Sequence, residues 1–436
     1  MQHNTSHHAE SALNVDREMA TDSTPRNKAC PGARPWLAAL LSLSALGFTV
    51  TTYGLEAPTG YDGLSNGFLT PSDYQQALDE FRLVQTIPMG LGPVFNDVSC
   101  QACHTGPVDG GHSQVSVQRA GYFDGVNFID PPGGSLIPAR AIDPSIRARV
   151  PRDANVRALR MSLSTLGDGY VEAIPDSALI KIANNQPKQS KGLIKGQYVL
   201  VDLLEAPGKQ AIGKFGWKDQ HASLVSFSAD AYRNEMGITT PLFPTELTSN
   251  GRSVDRFETV GQPNDSDHGV LLAANFMRST KAPPRTPGSP EPKKPPTARQ
   301  DDIKLGERTF ESTGCGICHT ASFVTAPAGT PINGGTYLVP VALGSRTFHP
   351  YSDFLLHDVG TGDGIVQNGG QSTRNKLRTT PLWGLSKRRT FLHDGSATTL
   401  QDAINRHTGE AIQVTGAFKR LSPQENQNLM RFLNTL

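Results

Sequence analysis

One short cysteine motif, present twice, constrains this chain more than any other feature of its sequence. Both copies place a histidine directly after the second of two cysteines that are three positions apart. They are "SCQACH", with Cys100, Cys103 and His104, and "GCGICH", with Cys315, Cys318 and His319. The chain has 436 residues and five cysteines, and Cys30 is the one that lies outside the two motifs. No disulfide framework is therefore available.

The pattern C-x-x-C-H is the attachment signature of c-type haem. Two thiols at this spacing can add to the two vinyl groups on one edge of a porphyrin, and the adjacent histidine then supplies an imidazole nitrogen to the iron. A zinc site would need four ligands close together, whereas each motif offers at most three. A thioredoxin-like redox pair is an alternative for one copy, but two copies with the histidine favour haem. The sequence predicts two covalently bound haems c, with His104 and His319 as proximal ligands.

The N-terminal segment has the composition of an export signal or a membrane anchor. Basic residues precede an uncharged, apolar run from Trp36 to Leu55, "WLAALLSLSALGFTVTTYGL". A basic flank before an apolar stretch is typical of both kinds of segment, and a buried core helix is the alternative. We therefore predict a periplasmic protein, either exported or held at the inner membrane by this anchor. The formal net charge of +1 gives no electrostatic argument for nucleic-acid binding.

The rest of the chain divides at a proline-rich stretch, "KAPPRTPGSPEPKKPPTAR", which cannot sustain a helix or a sheet. The predicted segments are a tail with the export segment in residues 1–55, an N-terminal haem domain in 56–280, a linker or loop in 281–299, and a C-terminal haem domain in 300–436. Plentiful glycine (43) and proline (32) indicate many loops, and few segments alternate like strands. The predicted fold is mainly α, with two cytochrome-c-like haem domains and much loop.

Helical patterns precede both motifs and close the chain. The segment "SDYQQALDEFRLV" begins with a capping box from Ser72 and Gln75, and "DDIKLGERTFESTG" leads into the second motif in the same way. Near the C-terminus, Ser422 and Glu425 form another capping box ahead of an apolar stripe. We therefore predict the same helix-then-motif unit twice.

The residue on the far side of each iron decides whether a haem binds a small molecule or only passes electrons. Near the second motif, His407 falls on the apolar face of a short predicted helix that Thr398 and Gln401 can cap. It is either an axial ligand or a histidine that is favoured at a helix C-terminus. For the first motif, His112 is close enough in sequence to reach over the ring, or it is a histidine of a surface loop.

Several segments resemble one protein family. In chain order they are "GLGPVFNDVSCQACH", "LGDGYVEAIPDSAL", "FGWKDQHASLVSFSADAYRNEMGIT", "LHDVGTGDGIVQ" and "LRTTPLWGLSKRRTFLHDGSATTLQDAINRH". With the two cysteine motifs, they resemble the di-haem oxidoreductases that are often labelled thiol oxidoreductases and are related to the bacterial di-haem cytochrome c peroxidases. The resemblance covers nearly everything from residue 60 onwards.

This resemblance implies a role for each haem. In the peroxidase relatives, peroxide is reduced at the N-terminal haem and the C-terminal haem supplies electrons. By their positions in the family-like segments, Glu235 acts on the peroxide, His393 lines the same pocket and Trp217 lies between the haems. Without the resemblance, these residues would be a solvated helix-end carboxylate, a turn histidine and a core tryptophan. The methionine that ligates the second iron in those peroxidases is replaced here by His407, which favours a lower potential.

The resemblance also implies partners and further ligands. Peroxide or another small oxidant would be reduced with electrons from a redox partner protein. Two alternatives stay open: an enzyme that oxidises the side chains of a partner protein, and an electron carrier in which His112 or His221 closes the first iron. A calcium ion between the domains is implied as well, although the usual calcium-site positions differ here. His357 and Arg378 either contact haem propionates or are structural.

Overall fold

Helix is the more abundant regular element of this protein, and loops make up much of the rest. The computed structural model describes residues 54–285 and 296–436, with side chains from Gln300 onwards in the second range. Within these residues the helices are α1 (Pro71–Arg82), α2 (Asp168–Glu172), α3 (Asp176–Gln189), α4 (Leu224–Met236), α5 (His268–Ser279), α6 (Pro296–Thr313), α7 (Leu400–Asn405), α8 (Ile412–Lys419) and α9 (Pro423–Leu433).

Strands are more numerous than the sequence predicted, but most of them contain two or three residues. In the described ranges they are β1 (Leu55–Glu56), β2 (Val94–Phe95), β3 (Ser116–Phe123), β4 (Phe128–Ile129), β5 (Leu136–Ile137), β6 (Arg140–Ala141), β7 (Val156–Met161), β8 (Leu200–Asp202), β9 (Gln210–Ile212), β10 (Phe323–Val324), β11 (Pro331–Ile332), β12 (Tyr337–Leu338), β13 (Arg346–Phe348), β14 (Leu356–His357) and β15 (Leu377–Arg378). The longest pairing is antiparallel, between β3 and β7, and it runs from Ser116↔Met161 to Gly121↔Val156. The mainly helical prediction therefore missed this small sheet.

Two helix pairs form the apolar framework beside the cysteine motifs. Helix α1 packs against α5, and α6 packs against α9. Buried Phe81 of α1 meets Phe276 of α5, and buried Phe310 of α6 meets Phe432 of α9, with ring centroids 4.3 and 5.4 Å apart. Aromatic pairs at this separation bury large apolar surfaces, so they hold each helix pair together.

The starts of helices α1 and α9 can be compared with the N-terminal caps that the sequence predicted. Helix α1 starts at Pro71, and the Thr70 hydroxyl accepts a hydrogen bond from Asp73 N at 3.2 Å. The predicted capping box of Ser72 and Gln75 is therefore wrong, because the helix begins earlier with proline in its first turn, where a missing N–H is harmless. Helix α9 begins as predicted, with the capping box from Ser422 and Glu425.

The predicted segment boundaries meet the described residues at a few points. The tail and export segment, residues 1–55, lie outside the described residues except for the last two, and most of the predicted linker 281–299 lies outside them too. Helix α6 already begins at Pro296, within the end of that linker. Residues Thr52–Leu436 form one compact unit, in which β1 pairs with β13.

Candidate functional site

The two cysteine motifs fold into the same turn. In the first, the His104 amide donates to the carbonyl of Cys100 at 3.1 Å, and in the second, the His319 amide donates to the carbonyl of Cys315 at 3.0 Å. A hydrogen bond from residue i+4 to residue i closes one helical turn, which keeps the two cysteines and the histidine together. None of the four motif cysteines forms a disulfide. The predicted attachment residues are therefore held in the same way at both places.

Each motif histidine packs on an aromatic ring of the preceding long helix. The His104 and Phe81 ring centroids are 6.3 Å apart, and those of His319 and Phe310 are also 6.3 Å apart. Helices α1 and α6 thus occupy equivalent positions relative to their motifs. The chain contains the helix-then-motif unit twice, as the sequence indicated.

The protonation of the motif side chains suits a haem with a histidine ligand. Burial lowers the pKa of His104 and of His319 to about 4, so both imidazoles are neutral near pH 7, the form that binds a metal. His104 Nδ1 is buried without a hydrogen-bond partner. His319 Nδ1 lies 3.0 Å from the carbonyl oxygen of Tyr351, which fixes the ring and leaves Nε2 for a ligand. The residues present therefore fit a haem at each motif.

A cavity of about 240 Å³ lies beside the second motif. Its lining includes Cys315, Cys318 and His319, together with His407. The His407 ring donates from Nδ1 to the carbonyl of Ala403 at 2.7 Å, which leaves its Nε2 unprotonated. After burial, the charge of His407 is a further cause of the lowered pKa of His319, because the two rings are close. The structure thus brings His407 to the second motif.

The helix before His407 ends earlier than predicted. Helix α7 stops at Asn405, and Thr399, rather than Thr398, caps it by accepting from Asp402 N at 3.1 Å. The prediction of Thr398 and Gln401 was wrong by one residue, because both threonines offer the same hydroxyl and only the backbone distinguishes them. His407 follows the helix end and still faces the cavity.

His357 lies next to the second motif between two carboxylates. Its Nε2 is 2.8 Å from Asp353 Oδ2, and its Nδ1 is 2.9 Å from Glu410 Oε2 and 3.9 Å from Cys318 Sγ. Burial opposes a charge on this ring, but the attraction of Asp353 outweighs it and holds the pKa of His357 well above its ordinary value. Among the described residues, Cys318, Asp353 and His357 form the one group of this kind with metal-binding spacing. Because both ring nitrogens already have carboxylate partners, we interpret the group as a hydrogen-bonded imidazolium.

Trp217 and His393 meet at another part of the same cavity. Their ring centroids are 6.1 Å apart in an edge-to-face arrangement. Trp217 Nε1 donates to the carbonyl of Met161 at 2.8 Å, and Met161 N donates to the carbonyl of His393 at 2.7 Å. His393 Nδ1 is buried and has no hydrogen-bond partner. These two predicted residues are therefore neighbours, and the Met161 backbone joins them.

Glu235 lies beside the first motif, at the end of α4. Its Oε2 accepts a hydrogen bond from Asn96 Nδ2 at 2.8 Å. Burial raises the pKa of Glu235, although the bond from Asn96 opposes the shift. Burial also raises the pKa of the Cys103 thiol to about 11, with the nearby Glu235 charge as the next cause. In the described part of the chain no hydrogen bond joins Glu235 to His393, the residue predicted to share its pocket.

The segment from Met161 to Ser164 connects the first motif with the cavity. All four of its residues line the cavity, and the Ser162 side chain lies near enough to Cys103 to lower the pKa of that thiol against the effect of burial. Nothing in the sequence marked this segment, because its residues are small or apolar and carry no motif. It became apparent only from the fold.

His112 lines the cavity and lies near the basic run "LSKRRTF", residues 385–391. The loop before it is closed by two hydrogen bonds between the backbones of Gly106 and His112, at 2.9 and 2.8 Å. Burial lowers the pKa of the His112 ring, and the charge of Arg388 adds to that effect. Its neighbours are therefore Arg388 and the Lys387 backbone, which leaves its predicted role at the first iron a prediction.

Two predictions concern membranes and calcium. The apolar segment Trp36–Leu55 lies almost wholly outside the described residues, and in residues 54–285 and 296–436 no helix is both long and apolar enough to cross a membrane.

Calcium prefers several carboxylate and carbonyl oxygens around one point. The one grouping of metal-type side chains in the described ranges contains a cysteine and a histidine instead, so calcium stays a prediction.

Solved structures of low sequence identity cover most of the chain. Hydrazine synthase of Kuenenia stuttgartiensis is 16% identical with a TM-score of 0.38, covering 93% of this chain and 100% of its own. A MauG-like protein associated with microbial copper homeostasis is 14% identical with a TM-score of 0.37, covering 90% and 95%. The di-haem peroxidase BthA of Burkholderia thailandensis is 13% identical with a TM-score of 0.34, covering 88% and 95%. TM-scores of this size do not by themselves establish a shared fold.

A family match is more informative than these structures. No curated protein sequence matches the chain. The model of the family described as "Di-haem oxidoreductase, putative peroxidase" matches residues 140–436, which include the second motif, Trp217, Glu235, His393 and His407. Because this match takes in more than half of the chain, the protein belongs to the di-haem oxidoreductase family, and its membership implies haem as the cofactor.

Proposed function

We propose that this protein is a periplasmic di-haem c-type cytochrome that reduces peroxide at the first motif with electrons relayed by the second. One observation carries the proposal: the two motifs have different neighbours. His407 lines the same cavity as His319, whereas the carboxyl of Glu235 lies beside Cys103. A second imidazole closes an iron to other ligands, while a carboxyl can move a proton on a bound substrate.

At the first motif, Cys100, Cys103 and His104 would hold the haem. Haem, when bound, supplies an iron that exchanges electrons and accepts a small oxidant on a face without a protein ligand. The buried, neutral His104 ring suits the proximal position, because a ligating imidazole must be unprotonated at the bonding nitrogen. The Phe81 ring packs on His104 and limits its motion.

Glu235 would hold and move the proton at this site. Asn96 donates to Oε2, so the carboxyl proton is carried by Oε1, the oxygen that this amide leaves free. Because burial raises the pKa of Glu235, the carboxyl keeps its proton to a higher pH than an exposed glutamate would. A carboxyl in this state can donate a proton to one peroxide oxygen and accept one from the other, which is general acid–base catalysis.

At the second motif, Cys315, Cys318, His319 and His407 would hold the haem. The Nδ1 atoms of both histidines are engaged by the carbonyls of Tyr351 and Ala403, at 3.0 and 2.7 Å. These hydrogen bonds orient the rings and leave both Nε2 atoms available. Two imidazole ligands favour electron transfer and a lower potential than a histidine–methionine pair.

Trp217 and His393 would lie on the path between the two motifs. They are in edge-to-face contact and line the cavity of the second motif. The Met161 backbone bonds to both residues, and the neighbouring Ser162 lies near Cys103 of the first motif. This arrangement supports the assignment of Trp217 to electron relay. Electrons would enter from a redox partner protein, and the export segment predicted in residues 1–55 supports a periplasmic location.

Replacement of Glu235 tests the proposed function. We expect E235Q to retain both haems and to lose peroxide-dependent oxidation of a small reductant by at least about 100-fold, because the proton carrier is gone. Turnover and the haem absorption spectrum are measured on the same preparation. The matched control is E246Q, a second buried glutamate with a raised pKa, whose carboxylate accepts from the Leu247 amide and from Gln262. E246Q should keep most of its turnover.

Three outcomes would contradict the proposal. Unchanged turnover in E235Q would remove Glu235 from the chemistry. A wild-type protein that binds two haems but reacts with no peroxide in any redox state would instead be an electron carrier. A protein that consumes peroxide only when a second protein is present would be an enzyme that oxidises partner side chains.

A further inference from the structure

The ammonium group of Lys218 is enclosed by oxygen atoms from a distant part of the chain. Lys218 is fully buried, and its Nζ donates to the carbonyls of Thr373, Arg374 and Lys376 at 3.0, 3.0 and 2.6 Å. Asp363 Oδ1 lies 3.2 Å from the same nitrogen. We call these four oxygen atoms the oxygen cage. An ammonium has three donors, so three carbonyls and one carboxylate satisfy it completely.

A second buried cation, Arg160, pairs with the carboxylate of the oxygen cage. The other carboxylate oxygen of Asp363, Oδ2, lies 2.6 Å from Arg160 Nε, and the Arg160 side chain is 3% exposed. Asp363 therefore stands between two buried cations. Removing only the Lys218 charge would leave Asp363 and Arg160 as a neutral pair, with three carbonyl dipoles still directed at one point. Such dipoles without a partner are costly in a buried site, and a cation would satisfy them.

We propose that the oxygen cage is a monovalent-cation site whose cation is supplied by the chain itself, as the ammonium of Lys218. Backbone carbonyls that converge on one point, with a single carboxylate, are the ligands of a cation rather than of a neutral group. The lysine fills the site permanently, so the native protein needs no added ion there. Without the lysine side chain, the cage becomes a binding site for a free cation.

The size and charge of the cage select the class of ion. The oxygen atoms lie 2.6–3.2 Å from Nζ. Magnesium binds oxygen at about 2.0–2.1 Å and calcium at about 2.3–2.6 Å, usually with six or more ligands. The cage is wider than either ion requires, has four oxygens, and is neutral overall once Arg160 is counted. These properties favour a large singly charged ion such as potassium or ammonium over a divalent one.

The cage also joins three parts of the chain that meet near Trp217. Lys218 follows Trp217, whose carbonyl accepts from Arg378 N at 2.9 Å, and Asp363 ties the cage to Arg160 of β7. Lys218 is thus a positioning residue for the indole ring. Its importance for electron relay rests on the proposed function, whereas the cation site does not.

Thermal unfolding of the holoprotein variant K218A tests the cation site, because alanine leaves the position of Nζ and the space next to it free. Midpoints are measured in potassium chloride and in choline chloride at equal ionic strength, because choline is too large for the cage. We expect K218A to unfold at a lower temperature than the wild type in choline, and to regain part of the loss as potassium is added. Calcium chloride at equal ionic strength should restore less.

The matched control is K214A. Lys214 is also buried and pairs with Asp176 at 2.8 Å, but it has no cage. The wild type should unfold at the same temperature in potassium and in choline, and so should K214A. A potassium response in K214A equal to that in K218A would reveal a general salt effect and overturn the proposal. So would equal midpoints of K218A in the two salts.

A variant that fails to fold in choline still gives a decisive result. With the haems covalently attached, as proposed, denatured K218A can be diluted into either salt and its native haem absorption followed. Recovery in potassium alone supports the site. Equal recovery or equal failure in both salts contradicts it, whatever happens to peroxide turnover.

Discussion

His407 is the side chain that distinguishes the second motif from the first. Its ring is fixed by a 2.7 Å hydrogen bond to the Ala403 carbonyl, and it lies close enough to His319 to lower the pKa of that ring further. The sequence could predict that His407 lies on the apolar face of its segment, because the apolar residues before it repeat at helical spacing. The end of helix α7 at Asn405, two residues before His407, could not be read from that spacing.

Replacement of His407 by methionine should raise the potential of the second haem. A methionine ligand favours ferrous iron more than a second imidazole does. We expect H407M to move the midpoint upward by at least about 59 mV, a tenfold change for one electron. A redox titration followed by absorption measures it. H349M is the control, because His349 is half exposed and pairs with Glu56. An unmoved midpoint in H407M would show that His407 does not ligate the iron.

Asp219 makes stability depend on pH. It is fully buried, and neither carboxylate oxygen has a hydrogen-bond partner. Burial raises its pKa well above the ordinary range, although Arg378 opposes the shift. A raised folded-state pKa means that stability is greatest below the ordinary pKa of aspartate and is lost as the pH rises towards the folded value. D219N removes this loss, so its thermal midpoint should exceed that of the wild type increasingly as the pH rises.

The comparison variant for Asp219 is D124N. Asp124 is exposed, and hydrogen bonds from the amides of Asn127 and Val126 lower its pKa. Its contribution has the opposite sign: it is present above the ordinary pKa of aspartate and is lost as the pH falls. D124N should therefore lose stability relative to the wild type at higher pH. If D219N and D124N changed the midpoint in the same direction, the assignment of Asp219 would be wrong.

At the scale of single residues, local patterns were predictable and distant partners were not. The motif cysteines and histidines are recognisable because their spacing is itself the requirement for attachment. The carboxylates that hold His357, from Asp353 and Glu410, come from separate segments, and aspartate and glutamate are too common to indicate a pairing. The partners of Lys218 are backbone carbonyls, which every residue has.

At the scale of elements, close contact between α6 and α9 sets the second motif in place. A Cβ at Gly306 of α6 would lie 2.0 Å from the backbone oxygen of Asn428 and 2.8 Å from Phe432 Cβ. Neither atom can move without shifting α9. Because Phe310 of α6 packs on both Phe432 and His319, such a shift would also reach the motif.

The variant G306A should lower the free energy of unfolding by about 1–3 kcal/mol, the usual cost of an overpacked core. Denaturant unfolding measures this loss, and the spectrum of the second haem should change more than that of the first. G416A is the control, because a Cβ at Gly416 of α8 meets nothing closer than Arg420 Nη1 at 3.5 Å. It should gain up to about 1 kcal/mol from the better helix propensity of alanine. An equal gain in G306A would contradict the close contact.

The sheet of β3 and β7 shows why strands were missed. In β7, Leu159 is 45% exposed and Arg160 is 3% exposed, the reverse of the order that their polarity suggests. Arg160 can be buried because Asp363 compensates its charge. A polar residue that points inward breaks the alternation on which strand prediction depends, so no strand is recognisable from the residue pattern there.

At the scale of the whole molecule, the cavity is assembled from segments far apart in the chain. His112, Met161, Trp217, His319 and His407 all line it. The family resemblance placed Trp217 and His393 in functional segments, and the structure brings them together. Glu235, by contrast, lies at the first motif rather than beside His393. Such groupings follow from loop paths, which hydrophobic periodicity does not determine.

The most direct test of the proposed division between the two motifs is the EPR spectrum of the fully oxidised and half-reduced holoprotein. The second iron, held by His319 and His407, should give a low-spin ferric signal because it has two axial ligands. The first iron, held by His104 with a face open to peroxide, should give a high-spin ferric signal in at least one of the two states. Low-spin signals alone in both states, with no change on addition of peroxide, would contradict the proposal.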